Sequence, residues 1–176
     1  MNEIRTRVAT GELMRALGGR LAGVLRPGDL VLLSGELGAG KTTLTQGLAE
    51  GLGVRGPVTS PTFVIARVHP SLRGGPDLVH VDAYRLHSLD EVDDLDLDAA
   101  LEESVTVVEW GQGKVEGLSE SRLEVELRRR TGHQAPADVD ADTDTDTVSD
   151  EPSEERDVVV RGVGERWADV DLARLA

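Results

Sequence analysis

"GELGAGKTT" (Gly35–Thr43) is the stretch from which the rest of this chain can be read. It places a lysine directly behind three glycines, although the chain holds only two lysines, Lys41 and Lys114, among its nineteen basic residues. Gly35, Gly40, Lys41 and Thr42 satisfy G-x-x-x-x-G-K-[ST], the pattern of a phosphate-binding loop. The spacing has a mechanical basis. Glycines let main-chain amides turn inward around a phosphate, and the first turn of a following helix adds unpaired N–H groups and a partial positive charge. Lysine suits the end of such a loop because a flexible stem delivers a compact ammonium where a planar guanidinium is too broad. The expected phosphate cradle is therefore Gly35, Glu36, Leu37, Gly38, Ala39, Gly40 and Thr43, with Lys41 on the outer phosphates and the Thr42 hydroxyl on Mg²⁺.

The flanks agree with this mechanism. "DLVLLSG" before the loop is a short apolar run suited to a strand buried on both faces. "KTTLTQGLAEGLG" after it spaces Leu44, Leu48 and Leu52 for a helix that stops at Gly53. Upstream, Thr10 is placed to cap a helix carrying Leu13, Leu17, Leu21 and Val24, ended by the Pro27-Gly28-Asp29 turn. Downstream, a strand is expected at about residues 62–68, then an exposed turn, "HPSLRGGPD". Two apolar runs follow, "LVHVD" and "VTVVEW", separated by the acidic, helix-like "SLDEVDDLDLDAALEE". "SRLEVELRRR" alternates as a half-exposed strand does, "RDVVVRG" is its expected partner, and "GERWADVDLARLA" is read as a closing helix. The fold class is thus α/β, a mostly parallel sheet with antiparallel additions, flanked by helices.

Composition narrows the function. The length of 176 residues suits one domain. With four aromatic residues, Phe63, Tyr84, Trp110 and Trp167, the core must be built from Val, Leu, Ile and Ala. Residues 133–157 hold ten acids and one base, so this stretch supplies most of the net charge of −14. It is low in complexity and is expected to be a disordered insertion within the domain. No basic stripe favours direct nucleic-acid or anionic-membrane binding, so any contact with RNA would be indirect or local. The absence of cysteine excludes disulfides and suits the cytoplasm, and no segment has the length and apolarity of a membrane span.

A phosphate loop also needs a carboxylate on a neighbouring strand. Asp82 ends "LVHVD" and Glu109 ends "VTVVE", and parallel strands would bring both to the same carboxyl edge of the sheet. One would hold Mg²⁺ while the other orients the attacking water, and either could instead cap a turn. Ser60 and Thr62 in "TSPTF" are placed for a loop that senses the last phosphate, and Trp110 for flanking the nucleotide or for packing in the core.

In their order, "GELGAGKTT", "TSPTF", "HVDAYRL" and "VVEWG" resemble the TsaE (YjeE) family of bacterial ATPases, which works with TsaD and TsaB in making threonylcarbamoyladenosine beside the tRNA anticodon. The resemblance spans about residues 8–128 and returns weakly in 157–175. It implies ATP and Mg²⁺ as cofactors and docking onto a TsaB/TsaD assembly. By matching position it puts Lys41 and Thr42 on phosphate and metal and Asp82 and Glu109 at the metal site. Hydrolysis would be slow alone and would support turnover of the complex without attaching the group. The chain departs from the family at His69-Pro70, Ala83 and Gly111, where a tyrosine-containing stretch, a larger apolar residue and a proline are usual. Two other readings use the same loop: a small-molecule kinase, and a nucleotide-gated binding module with negligible hydrolysis.

Overall fold

A computed structural model describes residues 2–61, 65–85, 102–130 and 155–176. Its strands are β1 (Asn2–Val8), β2 (Leu30–Gly35), β3 (Ala66–His69), β4 (Asp77–Asp82), β5 (Ser104–Glu109), β6 (Arg122–Arg129) and β7 (Arg156–Val163). Its α-helices are α1 (Gly11–Ala22) and α2 (Lys41–Leu52). The strands form one sheet in the order β1-β7-β6-β2-β5-β4-β3. The inner strands β6, β2, β5 and β4 are parallel, while β1, β7 and β3 join antiparallel. This is the mixed α/β sheet that the apolar runs predict. β2 lies between β5 and β6, so the loop leaving its end opens at the sheet's centre.

Local chemistry sets the helix ends. Thr10 is extended and its Oγ1 accepts from the Leu13 amide at 3.2 Å, replacing a partner that the first helical turn lacks. Gly53 closes α2 in the left-handed conformation, with its N–H bonded to the Ala49 and Glu50 carbonyls. Both helices lie on one face of the sheet, where Met14, Leu17, Leu21, Leu44 and Leu48 pack against Val31, Leu33, Val107, Leu123 and Val125. On the other face Leu32, Val79, Val81 and Val108 pack with Val115. Across β1, β7 and β6 that second face is charged, and Arg161 bridges Glu3 and Glu124 at 2.8 and 3.5 Å.

Two expectations change, and one strand is new. The closing helix is replaced by two short 3-10 turns, Glu165–Trp167 and Leu172–Leu175. Trp167 and Leu172 are both fully buried, and five residues of α-helix would set them about 140° apart. Asp171 makes the break by accepting from the Ala173 amide. Next, β3 begins at Ala66: of the strand expected at about 62–68, residues 62–64 lie outside the described residues, and Ile65 has φ +67, which strand pairing cannot use. Finally, Asn2–Val8 is a strand, pairing with β7 from Asn2 opposite Gly162 to Val8 opposite Arg156.

The helix expected at 88–103 lies outside the described residues apart from its last two, which form a turn. The acidic stretch 133–157 is likewise outside up to residue 154, and Arg156 and Asp157 at its end belong to β7.

His69 gives the fold a testable pH dependence. It is buried at the end of β3, with Nδ1 3.2 Å from the Arg55 carbonyl and Nε2 without a partner among the described residues. Burial holds its pKa below the ordinary 6.5, against the pull of the Arg55 carbonyl and with small help from His80 and Arg67. The unfolded chain therefore takes up the proton first. This contribution is present above pH 6.5 and is lost as the pH falls from there toward the folded-state value. Thermal midpoints measured from pH 7.5 to 5 should fall less steeply for His69→Phe than for the wild type; parallel curves would contradict this.

Candidate nucleotide site

Lys41 begins α2 at the carboxyl end of β2, and Gly35, Gly38 and Gly40 all have positive φ, at +143°, +76° and +105°. At Gly35 the requirement is also steric, since a Cβ would stand 2.4 Å from the Leu127 carbonyl oxygen on β6. The loop is thereby folded back against its neighbouring strand. α2 has neither a side-chain cap at Gly40 nor an acidic residue in its first turn. Its leading amides and positive end are left for an anion. Ala39 is buried beneath the loop, whereas Leu37 at its crest is 84% exposed.

The Lys41 side chain folds over this loop. Nζ donates to the carbonyls of Gly35 at 2.7 Å and Glu36 at 2.9 Å, and lies 3.8 Å from the ring centroid of Trp110. Burial pushes its pKa below the ordinary lysine range, while the charges of Glu109 and Asp82 pull it back up. Both contacts are the kind a phosphate would replace, because main-chain carbonyls and a ring face hold an ammonium less strongly than an anion does.

The parallel register of β4 and β5 sets Asp82 opposite Glu109 at the same sheet edge. Thr42 Oγ1 donates to Glu109 Oε1 at 3.1 Å, and Ser60 Oγ donates to Asp82 Oδ2 at 3.1 Å. Asp82 Oδ1 also accepts from the Tyr84 amide at 3.0 Å, so this carboxylate serves both as a turn cap and as a wall of the site. Trp110 has φ +63, and Tyr84 meets its ring edge-on at 5.3 Å. A cleft of about 550 Å³ results, lined by Gly38, Gly40, Lys41, Thr42, Thr43, Ser60, Asp82, Glu109, Tyr84 and Trp110. Thr62 lies outside the described residues.

The donors suit a hard cation. Among the described residues no three His, Cys, Asp or Glu side chains gather into a cage, but Mg²⁺ commonly takes one or two carboxylates and completes its shell with phosphate and water. The Thr42 hydroxyl and the Glu109 carboxylate, already in contact, offer such a partial set.

Reading the sequence missed three features of the site. His80, two residues before the motif's Asp82, bonds Glu109 at 2.8 Å. Lys114 donates to the Ala83 carbonyl at 2.7 Å and ties together the segments that follow β4 and β5. Arg129 places Nη1 3.8 Å from where a Cβ on Gly38 would stand. The departure at Gly111 also has a local reason, because a Cβ there would meet Val115 and Val108 at 2.7 and 2.8 Å.

Fold and site together define a mixed α/β domain whose glycine-rich loop opens between a central strand and a helix, facing two acids from adjacent parallel strands. Residues 8–136 match the family model described as "Threonylcarbamoyl adenosine biosynthesis protein TsaE". The chain belongs to the TsaE family. It is 62% identical to the Streptomyces coelicolor tRNA threonylcarbamoyladenosine biosynthesis protein TsaE over 164 residues, 93% of this chain and 99% of that protein. The Bacillus subtilis protein of the same name is 39% identical over 130 residues, 73% of this chain and 80% of that one. Among solved structures, the crystal structure of YdiB from Bacillus subtilis superimposes with a TM-score of 0.66 at 30% identity, covering 94% of this chain and 89% of that chain.

Proposed function

We propose that this chain is a Mg²⁺-dependent ATPase accessory to the TsaB/TsaD assembly, which makes threonylcarbamoyladenosine next to the tRNA anticodon. One observation carries the reading: Lys41, Thr42, Asp82 and Glu109, from three different parts of the sequence, line a single cleft at the uncapped start of α2. Membership of the TsaE family supplies the tRNA-modification context.

In this reading Lys41 exchanges its loop carbonyls for the outer phosphates, and the amides of the loop and of α2 hold the rest of the tail. Mg²⁺, when bound, neutralises charge on the phosphate oxygens. Thr42 and Glu109 would hold it, since they are already in contact. Asp82, bonded to Ser60, orients the attacking water and links the cleft to the loop ahead of β3. Trp110 and Tyr84 close the side of the cleft. Leu37 and Tyr84, exposed at its rim, place apolar surface where a protein partner would cover the nucleotide. No described helix is long and apolar enough to cross a membrane. We place the protein in the cytoplasm, because a chain without cysteine needs no oxidising compartment.

The test is ATP hydrolysis with and without TsaB and TsaD, for the wild type and for Glu109→Ala. Slow turnover that rises in the assembly, and falls at least about a hundredfold in the variant, is expected. Phosphorylated product in excess of free phosphate would instead identify a kinase. Nucleotide-dependent docking without hydrolysis, even in the assembly, would identify a binding module.

A further inference from the structure

His80 is a polar side chain in an apolar place. It lies on β4 between Val79 and Val81, is 0% exposed, and stands in register with Val107 of β5. Its Nε2 is 2.8 Å from Glu109 Oε1, and Nδ1 has no partner among the described residues. Burying an imidazole with an unpaired nitrogen is unfavourable, and a leucine would fill much of the volume without that cost. What a leucine lacks is an N–H directed at Glu109.

That N–H has a use. Glu109 is itself 3% exposed, and its Oε1 accepts from both His80 and Thr42. A carboxylate only accepts, so His80 carries its proton on Nε2 and donates. The Thr42 hydroxyl is on the first turn of α2 and lines the cleft, whereas His80 is enclosed in the sheet on β4. If Thr42 turns toward phosphate and metal, His80 remains to hold Oε1. Oε2, which His80 does not hold, lies 3.5 Å from the Oγ1 of Thr42, and Thr42 and Glu109 both line the cleft.

We propose that His80 is a positioning residue for the cation site: through its Nε2–H it fixes the Glu109 carboxylate with one oxygen toward the cleft. The proposal rests on the reading of the cleft as a Mg²⁺-ATP site and extends it to a residue that touches neither ligand. A ligand carboxylate held by a buried donor is presented in one orientation, and loss of such outer partners commonly weakens metal affinity about tenfold or more.

The experiment uses the full chain as wild type, His80→Leu, His80→Asn and His80→Gln. Leucine removes the donor, asparagine keeps a polar group that stops short of Glu109, and glutamine returns an N–H near the Nε2 position. Calorimetry measures ATP binding in EDTA and then across a Mg²⁺ titration, and ATP hydrolysis is followed over the same titration. Metal-free ATP affinity should stay within about twofold in every variant. The Mg²⁺ concentration at half-effect should rise about tenfold in His80→Leu and His80→Asn and return most of the way in His80→Gln. A purely structural role would lower stability without moving the Mg²⁺ requirement of the folded protein. Should His80→Leu fail to fold, His80→Asn is read by the same criterion. A wild-type Mg²⁺ requirement in whichever donor-less variant folds overturns the proposal while leaving the ATPase reading intact. Absence of Mg²⁺-dependent ATP binding by the wild type, alone and with TsaB and TsaD, sinks both.

Discussion

Lys41→Ala is expected to lower ATP affinity or turnover at least about tenfold while leaving the fold in place. A charge-assisted hydrogen bond contributes about 1.5–3 kcal/mol, and 1.4 kcal/mol corresponds to about a factor of ten. The variant removes the ammonium that donates to the Gly35 and Glu36 carbonyls at 2.7 and 2.9 Å, and because Lys41 itself lines the cleft, water can enter the space that its side chain leaves. Folding therefore loses little, whereas the phosphates lose a full charge that no other described group in the cleft supplies. Calorimetric titration with ATP and Mg²⁺, paired with a thermal melt, checks both halves. Unchanged nucleotide binding would remove the phosphate cradle from the account. A melt lowered by many degrees would mean that the lysine serves the fold instead.

Gly47→Ala should be strongly destabilising, although it converts a poor helix former into the best one. α1 and α2 cross so closely that a Cβ on Gly47 would stand 2.0 Å from the Arg15 carbonyl oxygen. Gly18 on the facing helix is as tight, with a Cβ position 2.2 Å from the Leu44 oxygen, and at Gly51 a Cβ would meet that of Ala22 at 2.5 Å. Because the obstructing atoms at Gly47 and Gly18 are main chain, no rotamer relieves the overlap and the helices must separate. Overpacking of this kind costs about 1–3 kcal/mol and occasionally more, against about 1 kcal/mol gained in helix propensity. With the Arg15 carbonyl oxygen, carbonyl carbon and Cα at 2.0, 2.6 and 2.6 Å the cost falls at the top of that range, so a net loss of about 2 kcal/mol, or roughly 4–8 °C in melting midpoint, is expected. Gly117→Ala is the control, since a Cβ there meets nothing within 4 Å and its backbone is ordinary. Equal midpoints for the two variants would show that the helix crossing is looser than described. Separation would also shift the start of α2, so ATP affinity should fall with stability in Gly47→Ala.

The sheet was legible where pattern and chemistry coincide. "DLVLLSG" is apolar because β2 is covered on both faces, and "SRLEVELRRR" alternates because β6 has one buried face and one charged face. β1 carries a weaker form of the same alternation in Glu3, Ile4, Arg5, Thr6, Arg7 and Val8, and no element was expected there. The closing segment misled for the opposite reason. Its local composition suits a helix, yet burying Trp167, Leu172 and Leu175 together requires a break at Asp171.

What the sequence determined alone was the phosphate-loop pattern and the two acids that could face it. Three glycines, a lysine and a threonine at fixed spacing between a strand and a helix are a local arrangement, and local arrangements are written contiguously. Only the tertiary structure decided that Thr42 reaches Glu109, that Ser60 reaches Asp82, and that His80 rather than a core aliphatic holds Glu109. It likewise decided that Gly18 and Gly47 form a helix crossing. Those pairings depend on strand order and on the distance between packed helices, which arise when distant segments bury apolar surface together and leave no trace in the spacing of either segment.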